Sequence, residues 1–550
     1  MNSSKIATFD RNDGRLVIAH ILFAFGALLI GGIAGMLQGM VKGGTITLPA
    51  NIGYYELLTA HGVLMALIFT TYFIIGFLYS GVSNTLGGKL LPLARKFGWW
   101  GYSLMSVGTL IGVVVILLGK ASVLYTFYAP MKASPYFYIA LALVVIGSWL
   151  SGFGIFYQYV QWRKGNKGKL SPLFAYMSVI TMLLWQIATI GVALEVVVQL
   201  IPWSFGWVET VNVVLSRTLF WFFGHPLVYF WLLPAYICWY VIIPKIIGGK
   251  IFSDALARMS FILFLLFSIP VGFHHQLMEP GISHFWKFLQ VVLTFMVVIP
   301  SLMTAFSLFA TFELHGRSKG AKGLFGWLKF LPWTDVRFFA PFMGMLIFIP
   351  AGAGGLINAS NQMNAVVHNT LWVTGHFHLT VATSVALTFF GIAYWLIPTI
   401  TGRVLTPRLN KLGIIQTLLW CVGMFIMSGS MHIVGLLGSP RRTAYNVYDD
   451  HPDAILWMPY HVAMAVGGII LFAGVVLIIY NIISLMRAPK GETEYPIGEV
   501  SEASEPTPRF LENWKLWITV AVILIVIAYT IPFIDLIGNT TPGSPGYVTW

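Results

Sequence analysis

The chain has 550 residues, of which 57% are apolar and only 9% charged, with a mean hydropathy of +0.81; this excludes a soluble globular domain and defines a polytopic membrane protein. Its net charge of +13 invites a nucleic-acid partner, but the basic residues sit in alternate loops between apolar runs, and no basic face is left over for one. Both cysteines, Cys238 and Cys421, fall inside apolar runs, which excludes a disulfide framework and a thiolate metal cluster.

A membrane span needs about 20 predominantly apolar residues. In chain order such runs fall near 15–41, 55–82, 98–120, 135–162, 170–202, 210–246, 256–281, 287–314, 334–358, 367–402, 411–438, 455–487 and 511–537. The expected fold class is therefore all-α, a polytopic membrane helix bundle of about 13 transmembrane helices. The first run is too long for a signal-peptide core and has no small-residue cleavage site behind it, so it reads as a retained span. Basic clusters such as Lys89, Arg95 and Lys96, or Arg163, Lys164, Lys167 and Lys169, follow even-numbered spans. The positive-inside rule then puts the N-terminus in the cytoplasm and the C-terminus outside. The one clearly polar stretch, 488–510, carries Pro489, Pro496, Pro506 and Pro508 and reads as a cytoplasmic linker. The expected organisation is a twelve-helix core (1–487), this linker (488–510), and an additional C-terminal helix with an outer tail (511–550).

Six histidines lie inside or at the ends of these spans: His61, His225, His274, His275, His376 and His378. Burying an imidazole without a partner costs roughly 2–7 kcal/mol, so a membrane protein does not accumulate them without use. With odd spans running outward and even spans inward, all six fall in the outer half of the bilayer. His376 and His378 are two residues apart, so on a helix their rings point about 200° apart and cannot share one metal. They can serve two cofactors flanking one helix, with His61 as the second axial ligand of one of them. His225, His274 and His275 can form a separate site; three neutral imidazoles suit copper or another late first-row metal. The adjacent pair supplies two ligands if the helix loosens there, and Glu279 and Pro280 are consistent with loosening. A single intramembrane histidine is more often a hydrogen-bonded helix contact, and His20, His432 and His461 are expected to be that.

The segments GHPLVY (224–229), HH (274–275) and GHFH (375–378), together with the thirteen-span layout, closely resemble subunit I of the haem–copper oxygen reductases, in particular the B family. The resemblance implies that His61 and His378 are axial ligands of a low-spin haem b and that His376 is the proximal ligand of a high-spin haem of type a or o. It makes His225, His274 and His275 the ligands of copper B. Tyr229 follows His225 by four residues, on the same helical face. Cleaving the O–O bond takes four electrons, of which the haem and the copper supply three, and a phenol can supply the fourth with a proton. The family's corresponding tyrosine is covalently linked to the copper-ligand histidine, which implies a Tyr229–His225 crosslink.

Protons must reach this site from the cytoplasm. Tyr236 and Tyr240 continue the stripe of Tyr229 inward, Ser253 lies at its foot, and Ser301 and Thr304 lie in the eighth span; the set resembles the single proton channel of the B family. The A family has a glutamate where this chain has Leu227, so its second channel is not expected. On the outer side Arg441 and Arg442 suit haem propionates. His368 and Asn364 resemble the propionate-side proton-loading site, with His368 carrying the titration because the family's acid is replaced by Asn364.

The implied function is a proton-pumping terminal oxidase core, a cytochrome c oxidase in a prokaryotic plasma membrane. A dinuclear copper entry site needs thiolates this chain lacks outside its spans, so subunit II is an expected partner with cytochrome c as donor; quinol is the alternative donor, and a small single-helix subunit a further partner. Two rivals stand beside this reading. A nitric oxide reductase of the same superfamily would carry glutamates near a non-haem iron, whereas Glu209 precedes span 6 and Glu279 lies at the outer edge of span 7. A membrane transporter with a histidine relay would be colourless.

Overall fold

The computed structural model describes residues 9–444, 448, 450–502, 504–538 and 543–548. Among these, thirteen helices are long and apolar enough to cross a membrane. They are α1 (Arg11–Lys42), α2 (Tyr54–Thr85), α3 (Pro92–Leu117), α4 (Pro135–Gly165), α5 (Leu173–Phe205), α6 (Val213–Ile247), α7 (Asp254–Gln276), α8 (His284–Ser318), α9 (Val336–Ala359), α10 (Leu371–Thr401), α11 (Pro407–Leu436), α12 (Pro452–Leu485) and α13 (Trp514–Gly538). The fold is a polytopic, mostly helical bundle, with α6, α10, α2 and α7 the most deeply buried helices. All six histidines lie on those four. Polar ligands need protein on every side within a bilayer, and only interior helices provide it.

Three helix starts precede the apolar runs because prolines at 92, 407 and 452 occupy the first turn, where the missing N–H costs nothing; Pro135 likewise starts its helix, at the expected position. The third helix thereby carries Arg95 into its first turns, and the Arg95 Nε donates to buried Asp13 of α1 at 2.6 Å. The expected tenth span began at 367, but a short helix, Asn361–Val367, precedes α10 and is separate from it.

The polar stretch 488–510 is laid as a strap over one end of the bundle. Its backbone pairs with Val404, Gly402, Val241 and Ile251, and Tyr495 is buried with its hydroxyl 2.8 Å from Ser80 Oγ. Beyond it Glu512 accepts from Arg163, Arg258 and Ser171, and Arg258 is itself held by Asp254. Such a buried cluster is costly to break rather than strongly stabilising, so it pins α13 in one register. Two-residue pairings, Met131–Lys132 with Tyr547–Val548 and Thr210–Val211 with Ser544–Pro545, tie the C-terminal tail to the loops after α3 and α5. Residues 539–542 and 549–550 of that tail lie outside the described residues.

Candidate metal and haem centre

The helix α7 ceases to be α-helical after Ser268 and resumes as a 3₁₀ turn, Phe273–Gln276. The loosening lies ahead of the histidine pair, not beyond it at Glu279 and Pro280: Pro270 has no N–H to donate, and Gly272 packs so closely that a Cβ would stand 2.8 Å from Trp221 O. The turn brings His274 and His275 to the same side. Together with His225 of α6 they form a cluster in which one ring nitrogen from each histidine lies within 4.8 Å of the other two. His225 Nδ1 is 3.1 Å from His275 Nε2, and His275 is stacked on Trp221 at 3.7 Å. Thr294 of α8 meets His274 Nδ1 at 3.0 Å.

The second histidine pair is differently built. His61 and His378 face each other with ring centroids 6.2 Å apart and planes 10° from parallel. Each Nδ1 is held by a backbone carbonyl, Gly31 O at 2.9 Å and Thr374 O at 2.7 Å, which directs each Nε2 away from its own backbone. A metal–nitrogen bond of about 2 Å on each side, added to the reach from nitrogen to ring centre, accounts for the separation. Both histidines are followed by π-helical turns, Val63–Phe69 and Thr380–Val385; such bulges recur at functional sites and re-aim the side chains beside them.

One cavity of about 700 Å³ connects the two groups, and His376, Tyr229, His368 and Met65 line it as well. His376 lies against Gly354, where a Cβ would come within 2.6 Å of its Nδ1, and Gly35 leaves only 2.4 Å between such a Cβ and His61 Nδ1. The glycines make room for imidazoles. If His61 is an axial haem ligand, Gly35→Ala is expected to turn it away from Gly31 and abolish a low-spin haem band, while a carbon monoxide response at a haem on His376 would remain; an unchanged low-spin band in the variant counts against the assignment.

Arg441 and Arg442 line part of the cavity, and Arg217 stands near them beside Tyr128. Arg441 donates to Asn369 Oδ1 at 3.1 Å, and Arg442 and Arg217 both lie over the ring of Tyr128, at 5.2 and 5.0 Å from its centre. Arg217 also pairs with Glu279 at 3.2 Å. Burial and the neighbouring Arg442 push Arg441 down to about 10. Burial, then the charges of Arg441, Arg442 and Arg217, lower His368 to about 4. No group of the described chain meets Arg441 Nε, Arg442 Nη2, Asn364 Oδ1 or, at the metal cluster, His225 Nε2. The two guanidinium donors call for an anionic partner, which the carboxylates of a haem would supply, whereas Asn364 Oδ1 is an acceptor and needs a donor. Arg217 and Lys42, which also lines the cavity, were not singled out in the sequence; each is a cation near one end of an apolar run.

The tyrosine stripe is interior. Tyr236 and Tyr240 are almost fully buried; the Tyr236 hydroxyl is acted on by Ser301, and the Tyr240 hydroxyl donates to Thr304 Oγ1 at 3.0 Å and lies 3.3 Å from Ser260 Oγ. Ser253 is not brought to this chain of hydroxyls. Its Oγ accepts from Leu256 N as the N-cap of α7, and Ser260, two turns on, takes its place beside Tyr240. Phe264 stands between Tyr229 and Tyr236, 5.8 and 5.3 Å from their rings. Of the three histidines expected to be hydrogen-bonded helix–helix contacts, His461 meets Ser439, whereas His20 and His432 bond to carbonyls of their own helices and touch other helices through their rings, at Tyr72 and Trp372. A buried acid passed unremarked in the sequence: Glu195 in α5 accepts from Ser216 of α6 at 2.7 Å. Its signal was that it is the one charged residue inside the run 170–202.

Residues 15–470 match the family model described as Cytochrome C and Quinol oxidase polypeptide I. The chain is 41% identical to cytochrome c oxidase subunit 1 of Thermus thermophilus, covering 98% of this chain and 97% of that one. It is 25% identical to quinol oxidase subunit 1 of Bacillus spizizenii over 87% of this chain and 72% of that one. A solved structure of a heme-copper terminal oxidase dimer superposes with a TM-score of 0.92 at 36% identity, covering 98% of this chain and 95% of that one. The two histidine groups sharing one cavity, and a match that runs through all of their helices, make this chain a member of the cytochrome c and quinol oxidase polypeptide I family, subunit I of the haem–copper oxidases.

Proposed function

We propose that the chain is the catalytic subunit of a proton-pumping terminal oxidase that reduces O2 to water with electrons from cytochrome c. The observation that carries this reading is a single cavity joining two parallel imidazoles, His61 and His378, to three converging ones, His225, His274 and His275. In this reading His61 and His378 hold a low-spin haem b, His376 holds a high-spin haem of type a or o, and the three converging histidines hold copper B. When bound, these groups supply electrons to O2.

The rest is done by the chain's own side chains. Arg441 and Arg442 would hold haem carboxylates, and Arg217, tied to Glu279, extends the positive field. With the arginine charges so offset, His368 would have a higher affinity for a proton, gaining one as negative charge accumulates beside it and losing it as that charge is neutralised. Asn364 donates to Asn358 O at 2.8 Å and serves as a fixed hydrogen-bonding partner, not a titrating one. Thr304, Tyr240, Tyr236 and Ser301 hand protons toward Tyr229, with Ser253 capping the helix at the cytoplasmic foot and Ser260 joining Tyr240.

Membership of an oxidase family removes the transporter. Against nitric oxide reduction, neither α6 nor the 3₁₀ turn brings an acid to the three histidines: Glu279 is taken up by Arg217 and Gln276. Electrons would enter through subunit II and its dinuclear copper centre, with a small single-helix subunit alongside. The core is 1–487 in a prokaryotic plasma membrane, the N-terminus cytoplasmic and the C-terminus outside. The test is a reduced-minus-oxidised spectrum, with and without carbon monoxide, on a sample assayed for metals. Two irons and one copper per chain, one low-spin b band and one CO-sensitive haem are expected. Iron without copper moves the assignment to nitric oxide reduction, and a colourless protein overturns it.

A further inference from the structure

The turn that presents His274 and His275 is not self-supporting. Its break at Pro270 leaves the N–H groups of Gly272 and Phe273 without helical acceptors, in a buried setting where backbone donors have to be answered. Both are answered from other helices. Gly272 N donates to the hydroxyl of Tyr529 in α13 at 2.9 Å. Phe273 N donates to Gln290 Oε1 of α8 at 2.8 Å, and the other end of that amide donates to Ala528 O of α13 at 3.1 Å. One turn along α8, Thr294 donates to Gln290 O at 2.7 Å while meeting His274 Nδ1. The Tyr529 ring is wedged between Phe222 and Phe273, at 4.8 and 5.4 Å. A Cβ on Gly272 would lie 2.7 Å from the Tyr529 oxygen, so the two are fitted to each other.

We propose that α13 is a working part of the copper site and that Tyr529 is a positioning residue: its hydroxyl and the Ala528–Gln290 relay fix the backbone turn that aims His274 and His275 at the metal. This rests on the reading of those histidines as copper ligands. The last helix lies outside the family-matched segment, which ends at 470, yet it supplies two of the hydrogen-bonding groups that stand behind the turn. The pinning of Glu512 by Arg163 and Arg258 then has a further consequence, since it sets the height at which Tyr529 meets Gly272.

Tyr529→Phe in the full-chain holoenzyme tests this, because the ring contacts stay and only the acceptor is lost. Outer support of a metal ligand is worth roughly 10–100-fold in affinity, and a copper loss of that size on titration with a copper chelator is expected, with the low-spin haem band unmoved and the carbon monoxide difference spectrum altered. Gln290→Leu, which cuts the relay without touching α13, is expected to give the same result. Wild-type copper retention and an unaltered carbon monoxide spectrum in both variants overturn the proposal. A wild-type enzyme carrying haem but no copper overturns the copper reading instead, so the two failures are separable.

Discussion

Changing His274 to alanine is expected to leave the protein with both haems and no copper, and to abolish O2 reduction. Three neutral nitrogens within 4.8 Å make a ligand set for a late first-row metal, and two do not close it. The loss should exceed the roughly 10–100-fold that an outer-shell change costs. Thr294→Val offers that smaller change, because the Thr294 hydroxyl fixes Nδ1 of His274 and so decides which nitrogen faces the metal. The facing imidazoles His61 and His378, proposed to hold the low-spin haem, belong to α2 and α10, and their backbone anchors at Gly31 and Thr374 do not pass through α7. Metal analysis therefore separates the sites: copper should fall to background while iron and the low-spin band hold. Full copper and turnover in the alanine variant would mean that the converging histidines are not the metal site.

What the sequence disclosed, and what it hid, follow from how local each signal is. Apolar runs announce membrane helices because every residue of a span answers to the same solvent, and the thirteen runs correspond to the thirteen helices with ends shifted by proline-started first turns. Histidine spacing pointed to the clusters that the helices bring together, because GHFH places two rings on different sides of one helix. The break before the histidine pair could have been read from Pro270 and Gly272, and attention to the residues after the pair missed it. The π-helical turns beside His61 and His378 leave no mark in composition. Residues that act across helices were the least legible: Arg217 reaching Glu279, Gln290 holding a turn of α7, Tyr529 bonding Gly272. Nothing in their own helices distinguishes them, since their partners are tens or hundreds of residues away. Ser253 shows the same limit from the other side: a serine at the right depth was spent on capping its helix, and Ser260 faced the tyrosine.

Tyr229→Phe is expected to keep both haems and the copper yet lose about 10²–10⁴-fold in turnover, the range that a positioned proton donor commands. Tyr229 lies 5.0 Å from His225 between ring centroids, at 69°, and lines the cavity beside it. Phenylalanine retains that contact and the one to Phe264, so packing is preserved and the phenol alone is removed. A phenylalanine gives up neither a proton nor an electron, and it cannot form the link to His225. In the parent protein the peptide holding both residues should weigh two hydrogens less than its sequence requires, and in the variant it should have the full mass. Tyr236→Phe provides the contrast. It lies one stage nearer the cytoplasm and acts only on proton delivery, so it should slow turnover with an enlarged solvent isotope effect while leaving the crosslink intact. Wild-type turnover in Tyr229→Phe would remove the phenol from the chemistry and reduce the stripe to packing. Equal losses in both variants, with no difference in isotope effect, would make Tyr229 another link in the proton path and not the electron donor.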